Sequence, residues 1–499
     1  MRPPISFYSL LMYNIHSVCS WGLSPKYVFD ERSSIVLEKL FHLKENHTNV
    51  KTEVMAGLTS FFTMAYIIFV NPQILSASGM DAGAVMLATC VSAAIGTFLM
   101  AFLANYPFAL APGMGLNAFF AYTICGSMGY SWQAALAAVF TSGCIFVLIT
   151  VTGVREAIVR AIPKSLKNAI SVGIGFFIAF IGLKNAGLLK FTIDPGNYTL
   201  LDSGTVLANA TPIPAFNFTG ASTQLAIFGL VVLAILYVRQ VKGSLFVGIL
   251  ATSAVGCLLQ FGLGIDVGVS APTGLSSIPS LAPTFGQFVK GFGELFNFQE
   301  GFAVGLTSVI SVLIALVLVD MFDTIGTLIG TAARAGMLDE EGNLPRANGA
   351  LMADAIATVC GAVMGTSTVT TFVESASGVS EGGRTGLTAL TTGVLFLAAV
   401  VAAPFLGLIP TAATAPVLIV VGVLMMANVR EIDWLDFETA MPAFLTIACM
   451  PFAYSIADGI AAGFLFYTLI KLFRGKAKEV HPILYVLCVL FVLRFIIVM

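Results

Sequence analysis

The chain has 499 residues, of which 58% are hydrophobic and 10% charged, and its net charge is −2. Its mean hydropathy is +0.94. Soluble domains carry about 25% charged residues, so the composition excludes an ordinary soluble protein, and the near-neutral charge gives no signal for nucleic acid.

The first 35 residues hold an apolar patch that is short and broken by Asn14, His16 and Pro25. They lack the basic start and small-residue cleavage site of a signal peptide, and we read them as a disordered or non-native N-terminal extension. Apolar runs of spanning length then recur at roughly 54–75, 84–105, 108–125, 131–153, 168–189, 222–240 and 243–263. A second set runs at roughly 303–329, 349–365, 367–381, 384–407, 411–428, 438–454 and 456–473. This divides the chain into a first seven-span repeat (36–263), an extracytoplasmic connecting loop (264–302), a second seven-span repeat (303–473) and a C-terminal segment (474–499). Within the last, 483–498 is an extra span or a helix on the surface, and Arg494 disfavours a full crossing.

Basic residues test the count. With the N-terminus cytoplasmic (Lys39, Lys44, Lys51), successive inside loops carry Arg155, Arg160, Lys164 and Lys167, then Arg239 and Lys242, then Arg334 and Arg346, Arg384, and Arg430. The last inside segment holds Lys471, Arg474, Lys476 and Lys478. The long outer loops, about 190–220 and 264–300, hold only Lys190 and Lys290. An odd number of spans per half forces opposite orientations, which is the inverted-repeat arrangement of secondary transporters. The expected fold class is therefore an all-α polytopic membrane protein with 14 transmembrane segments in two inverted repeats. In the first outer loop Asn197, Asn209 and Asn217 each begin an Asn-x-Thr triplet, a glycan acceptor only in a secretory pathway.

The third segment of each half departs from an ordinary span. In the first half, Pro112, Gly113 and Gly115 interrupt the helix at mid-membrane. In the second, the Thr/Ser/Val run 366–373 favours extended backbone, with a helix start near Glu374–Ser375. Such backbone survives at membrane depth only where protein or a polar cavity satisfies it, and matched interruptions in two repeats point to a midplane substrate site. Two kinked structural helices are the plainer alternative.

Acids inside spans sharpen the signal. Asp320 and Asp323 are three apart and share a helix face; Glu374 sits on the second broken segment, and Asp354 lies inside the neighbouring span. An acid at a helix centre costs about 2.5–3.5 kcal/mol on insertion scales, so each is a functional candidate by default. Asp320 has three readings: a cap on freed amides, a cation ligand, or a proton and substrate group. Asp323 suits a structural or a functional role equally, and Asp354 suits packing or proton relay. Two acids close together in a low-dielectric site resist joint ionisation, so a pair such as Asp320 and Glu374 can take up a proton near neutral pH and move it with the substrate. The chain has no phosphate loop, no HExxH and no GxSxG, and its four histidines lie outside the spans. The expectation is a transporter, not an enzyme, with no cofactor and no metal; the scattered cysteines fit small packing residues.

These residues carry a family likeness. Val70-Asn-Pro-Gln-Ile-Leu75, Ala111-Pro-Gly-Met-Gly-Leu-Asn-Ala118, Val319-Asp-Met-Phe-Asp-Thr-Ile-Gly-Thr327, the run Gly365–Gly378 and Gly382-Gly-Arg-Thr-Gly-Leu-Thr388 resemble the AzgA-like hypoxanthine/guanine/adenine permeases of the nucleobase–ascorbate (xanthine/uracil permease) superfamily. The likeness covers about residues 36–499. It implies a core domain (about 54–153 plus 303–407), a gate domain (about 168–263 plus 411–473), and short antiparallel strands meeting at the substrate. It also implies that the eighth-span acid and tenth-segment glutamate bind the base, here Asp320 and Glu374. Asn117 and Asp323 match the family's further positions, and the backbone amides near Leu116 and Val373 are added contacts. Thr366–Val373 looks more like guanine/hypoxanthine members than adenine-selective ones. The resemblance thus implies proton symport of hypoxanthine and guanine, with adenine as a third base, at the plasma membrane; related folds often dimerise through the gate side. A uracil/xanthine or anion carrier on the same fold is the alternative, and a channel a further one. The chemistry agrees: guanine presents N1–H beside its N2 amine, a donor pair for one carboxylate, and Phe119, Phe120, Phe322 or Phe372 is a candidate to stack on the purine.

Overall fold

The computed structural model describes residues 37–152, 162–192, 198–200, 206–208, 213–270, 279–296, 302–338 and 344–498. The N-terminal extension, the triplets at Asn197 and Asn209, and parts of both outer loops lie outside the described residues.

Apolar segments without water as a partner close their hydrogen bonds internally, and the chain accordingly folds as helices. The first half gives α1 (Val50–Ser76), α2 (Ala82–Ala104), β1 (Leu110–Pro112), α3 (Met114–Ala118, continued by π turns Phe119–Ser127), α4 (Trp132–Val151), α5 (Lys164–Asn185), α6 (Ala221–Val238) and α7 (Ser244–Gly262). The second gives α8 (Phe302–Ala335), α9 (Ala347–Met364), β2 (Val369–Thr371), α10 (Ser375–Ser380), α11 (Gly386–Ala398, continued by 3-10 turns Ala399–Leu408), α12 (Thr411–Met425), α13 (Phe437–Phe452) and α14 (Ile456–Phe473). A last helix, α15 (Pro482–Val498), follows and packs on α8 and α14. Polar side chains start several of these helices: Asn49 accepts from the Thr52 amide at 3.0 Å, and Asp81 from the Ala84 amide at 2.7 Å.

Several elements differ from the sequence expectation: α1 is broken at Ala65–Tyr66, and the expected connecting loop holds a further helix, Phe288–Leu295, packed on α4. α8 has 34 residues, about 51 Å at 1.5 Å per residue, and so runs well beyond a bilayer's hydrocarbon depth. α11 gives way to 3-10 turns where a single span was expected. The segment between α5 and α6 carries two antiparallel strand pairs, Leu189–Thr192 with Ile213–Phe216 and Tyr198–Leu200 with Val206–Ala208.

Several principal packings recur when the halves are exchanged. α1 packs on α11 and, equivalently, α8 on α4; α2 packs on α11 and α9 on α4; α5 packs on α13 and α12 on α6. α2 pairs with α9, and α5 with α12, its own counterpart each time. At the α5–α12 crossing, glycines face each other: a Cβ on Gly175 would lie 2.7 Å from the Gly422 carbonyl oxygen. The map also separates two bodies. α1–α4 assemble with α8–α11 as the core, and α5–α7 with α12–α14 as the gate. The two meet where α3 and α8 touch α5, where α8 touches α14, and where α1 touches α12 and α7, with Phe246 of α7 stacked on Phe69 of α1.

Candidate functional site

The broken segments meet. β1 and β2 pair antiparallel, with Leu110 opposite Thr371, Ala111 opposite Thr370 and Pro112 opposite Val369. The pairing is extended at both ends, where the Phe372 amide donates to the Ala109 carbonyl and the Gly113 amide to the Thr368 carbonyl, each at 3.0 Å. A two-stranded ribbon leaves outer edges that lipid cannot satisfy. Threonines on the flanking helices fill them. Thr97 of α2 accepts from the Leu110 amide at 3.0 Å and donates to the Leu110 carbonyl at 3.1 Å, while Thr358 of α9 donates to the Val369 carbonyl at 3.1 Å. The two threonines come from helices that exchange under the repeat symmetry.

Gly113 is required at the end of β1. A Cβ there would lie 2.6 Å from the Thr370 methyl across the ribbon, and 3.7 Å from the Asp323 carboxylate. Asp323 therefore hangs over the start of α3. It is partly exposed and lies within electrostatic reach of Glu374 and Asp354. Asp320, one turn earlier on α8, is only 1% exposed. The next residue after Asp323, Thr324, donates to Asp354 at 2.9 Å and bonds Thr370 at 2.7 Å, which ties α8 to α9 and to β2. Asp354 is fully buried behind the ribbon.

Glu374 stands at the N-cap position of α10, and its carbonyl receives the Ser377 amide at 2.9 Å. The residue as a whole is partly exposed, and Val373 beside it is 54% exposed although Phe372 and the residues of β2 are buried. The Tyr66 hydroxyl donates to the Glu374 Oε1 at 2.6 Å. Tyr66 lies at the irregular turn inside α1, between the helical stretches Val50–Met64 and Ile67–Ser76. A third interrupted segment thus contributes to the site. Tyr66 was invisible in the pattern of acids and prolines; the available signal was a hydroxyl in an apolar run, which at that depth needs an acceptor.

Asn117 is buried on α3, bonds the Ser367 hydroxyl and donates to the Pro112 carbonyl at 3.4 Å. It braces one broken segment against the other. Leu116 is 1% exposed, and Gly115 next to it abuts Ile174 of the gate helix α5. Of the aromatic candidates, Phe119 and Phe120 are wholly buried in the core, and Phe372 is 5% exposed with its ring 6.5 Å from that of Tyr66. The side chain of Phe322 lies outside the described residues. Among the described residues no group of His, Cys, Asp and Glu is arranged to hold a metal ion.

Fourteen segments in two inverted repeats, divided into core and gate and crossed at two broken segments by antiparallel strands, define the class: a multi-pass membrane transporter of the seven-plus-seven type. The same architecture appears in the transmembrane domain of a cyanobacterium bicarbonate transporter, BicA, at a TM-score of 0.58 and 16% identity over 83% of this chain and 96% of that one. A sequence model of the Permease family, Xan_ur_permease, matches residues 51–462, and the chain belongs to that family. It is 45% identical to the guanine/hypoxanthine permease PbuG of Bacillus subtilis over 470 residues, 92% of this chain and 99% of that protein. It is 40% identical to the adenine permease AdeP of Escherichia coli over 462 residues, 92% of this chain and 96% of that one.

Proposed function

We propose that this permease imports hypoxanthine and guanine, with adenine as a third base, by proton symport and alternating access across the plasma membrane, its N-terminus cytoplasmic. The observation that carries the reading is the meeting of two acidic residues, Asp323 and Glu374, at the ribbon where the broken segments cross. The likeness to guanine/hypoxanthine permeases supports the choice of base.

In this reading Glu374 accepts from the N1–H edge of the purine, and Asp323 faces the imidazole edge above the start of α3. Asp320, buried one turn away, and Asp354, bonded to Thr324, stand beside the pair, and the transported proton is carried within this group of acids. Val373 and Leu116 supply backbone amides at the ends of the ribbon, and Asn117 keeps the segments in register. The proton neutralises a site that would otherwise hold two facing acids, so it travels with the neutral base. The core then moves against the gate at the contact between α3, α8 and α5. The functional unit is a homodimer formed through the gate side.

Radiolabelled hypoxanthine and guanine uptake in a purine-transport-deficient host tests the reading. Uptake is expected to saturate, to fall when an uncoupler collapses the proton gradient, and to be competed by unlabelled guanine and hypoxanthine but not by uracil or bicarbonate. Uptake that ignores the uncoupler removes proton coupling, and competition by uracil removes the purine assignment.

A further inference from the structure

We infer that Tyr66 is a specificity-determining positioning residue, which orients Glu374 and restricts how many donors of a base that carboxylate can accept. The inference rests on the purine reading above. Tyr66 is 1% exposed, so its hydroxyl has no water to satisfy it, and its 2.6 Å bond to Glu374 Oε1 is the short, charge-assisted kind that fixes a carboxylate's rotamer. The irregular turn of α1 places it there. Thr63, one turn earlier, donates to the Thr59 and Ser60 carbonyls at 3.0 and 2.8 Å within the helix that the turn interrupts, and its hydroxyl also reaches the Glu374 carbonyl at 3.5 Å. Phe372, the residue two before Glu374, lies against the Tyr66 ring and keeps it from swinging away.

The chemical consequence concerns the two purines. Hypoxanthine offers one donor at this edge, N1–H, and needs one carboxylate oxygen. Guanine offers N1–H and the N2 amine side by side and is best served by both oxygens at once. With Oε1 already accepting from Tyr66 and the carboxylate also bonded by its own backbone amide, Glu374 keeps less acceptor capacity for a second donor than a free carboxylate would. The hydroxyl therefore favours the single-donor base relative to the double-donor one, while sparing both the entropy of ordering a free glutamate.

The test is Tyr66→Phe, which keeps the ring and deletes only the hydroxyl. Concentration-dependent uptake of both bases is measured in wild type and variant, with membrane abundance determined in parallel. The ratio of guanine KM to hypoxanthine KM is expected to fall about three- to tenfold, the worth of one hydrogen bond gained by guanine. The hypoxanthine KM is expected to rise and its maximal rate per transporter to change little. A tyrosine that serves only to pack the core moves both bases equally, so an unchanged ratio overturns the inference. Failure of the variant to accumulate in the membrane also overturns it, because the hydroxyl is then a folding group. A wild type that takes up neither base defeats the purine reading itself, and is told apart from the other outcomes before any variant is made.

Discussion

Glu374→Gln is expected to lower hypoxanthine and guanine uptake roughly 30- to 150-fold at subsaturating substrate, with normal membrane abundance. The figure corresponds to about 2–3 kcal/mol, the worth of a hydrogen bond to a charged group in a desolvated site. Glutamine keeps the size and can still accept from Tyr66, so the ribbon and α10 stay in place. It replaces the second acceptor by an amide donor, which opposes the N1–H of the base, and it cannot take a proton. The substitution also separates binding from coupling, because counterflow of base across equal gradients needs no net proton movement. Loss of both net uptake and counterflow marks a binding acid; loss of net uptake alone marks a coupling one. Asp323→Asn is expected to follow the first pattern. Asp320→Asn, at a carboxylate buried behind Asp323 on the same helix, is expected to act mainly on coupling and abundance. Wild-type uptake by Glu374→Gln would remove the site assignment. The converse result, wild-type binding by Asp323→Asn with complete loss in Asp320→Asn, would return the second carboxylate to Asp320.

Much of this architecture was legible because the bilayer imposes strong rules. Span lengths, the parity of Lys and Arg, and two prolines-and-glycines or threonine runs at matched positions are one-dimensional signals, and they located the helices to within a few residues. That extended backbone at mid-depth needs a partner follows from the same logic, but that the two broken segments pair with each other, as Ala111 does with Thr370, was implied only by the family resemblance. Asp320 and Asp323 show where that logic ends. Three residues apart, they share a face by helical periodicity alone, and nothing in the sequence tells which one stands over Gly113; that depends on how α8 is rotated against the ribbon. Tyr66 was hidden for a different reason. Its partner is 308 residues away, and the turn that aims it carries neither proline nor glycine at that point. Asn71 is a similar case: it reads as part of a motif, but its two bonds, to Thr89 at 2.7 Å and Thr366 at 2.9 Å, join α1 to α2 and to the second broken segment.

Glu53→Ala is expected to remove most of the protein from the membrane, the largest stability effect of any single substitution considered. Glu53 lies in the first turn of α1 and is wholly buried. Its carboxylate accepts from the Arg384 amide at 2.9 Å, the Thr385 amide and hydroxyl at 3.2 and 2.9 Å, and the Thr388 amide and hydroxyl at 3.2 and 2.7 Å. These donors are the free amides that begin α11, so one acid caps two helices whose positive ends both favour it. Alanine leaves the Arg384 amide and the Thr385 amide and hydroxyl without this acceptor, while the Thr388 amide and hydroxyl keep the Thr385 and Glu53 carbonyls, each at 3.2 Å. Each such group costs about 1–3 kcal/mol, and even a partial sum is comparable to the roughly 5–15 kcal/mol that holds a typical domain together. Glutamine retains one acceptor oxygen and turns the other position into a donor facing donors, so Glu53→Gln is expected to fall between alanine and wild type. Abundance in membranes and the melting temperature of the detergent-purified protein provide the measurement, and a melting temperature for Glu53→Ala within a few degrees of wild type would refute the argument. The effect reaches the transport site through α10. The chain between α10 and α11 is closed by Arg384, whose guanidinium donates to the Val379 and Gly383 carbonyls at 2.8 Å. Loosening the start of α11 therefore frees the helix that carries Glu374 at its head. Glu53→Gln, folded but slack, is expected to show a raised KM for both bases by a common factor, a pattern distinct from the changed ratio assigned to Tyr66.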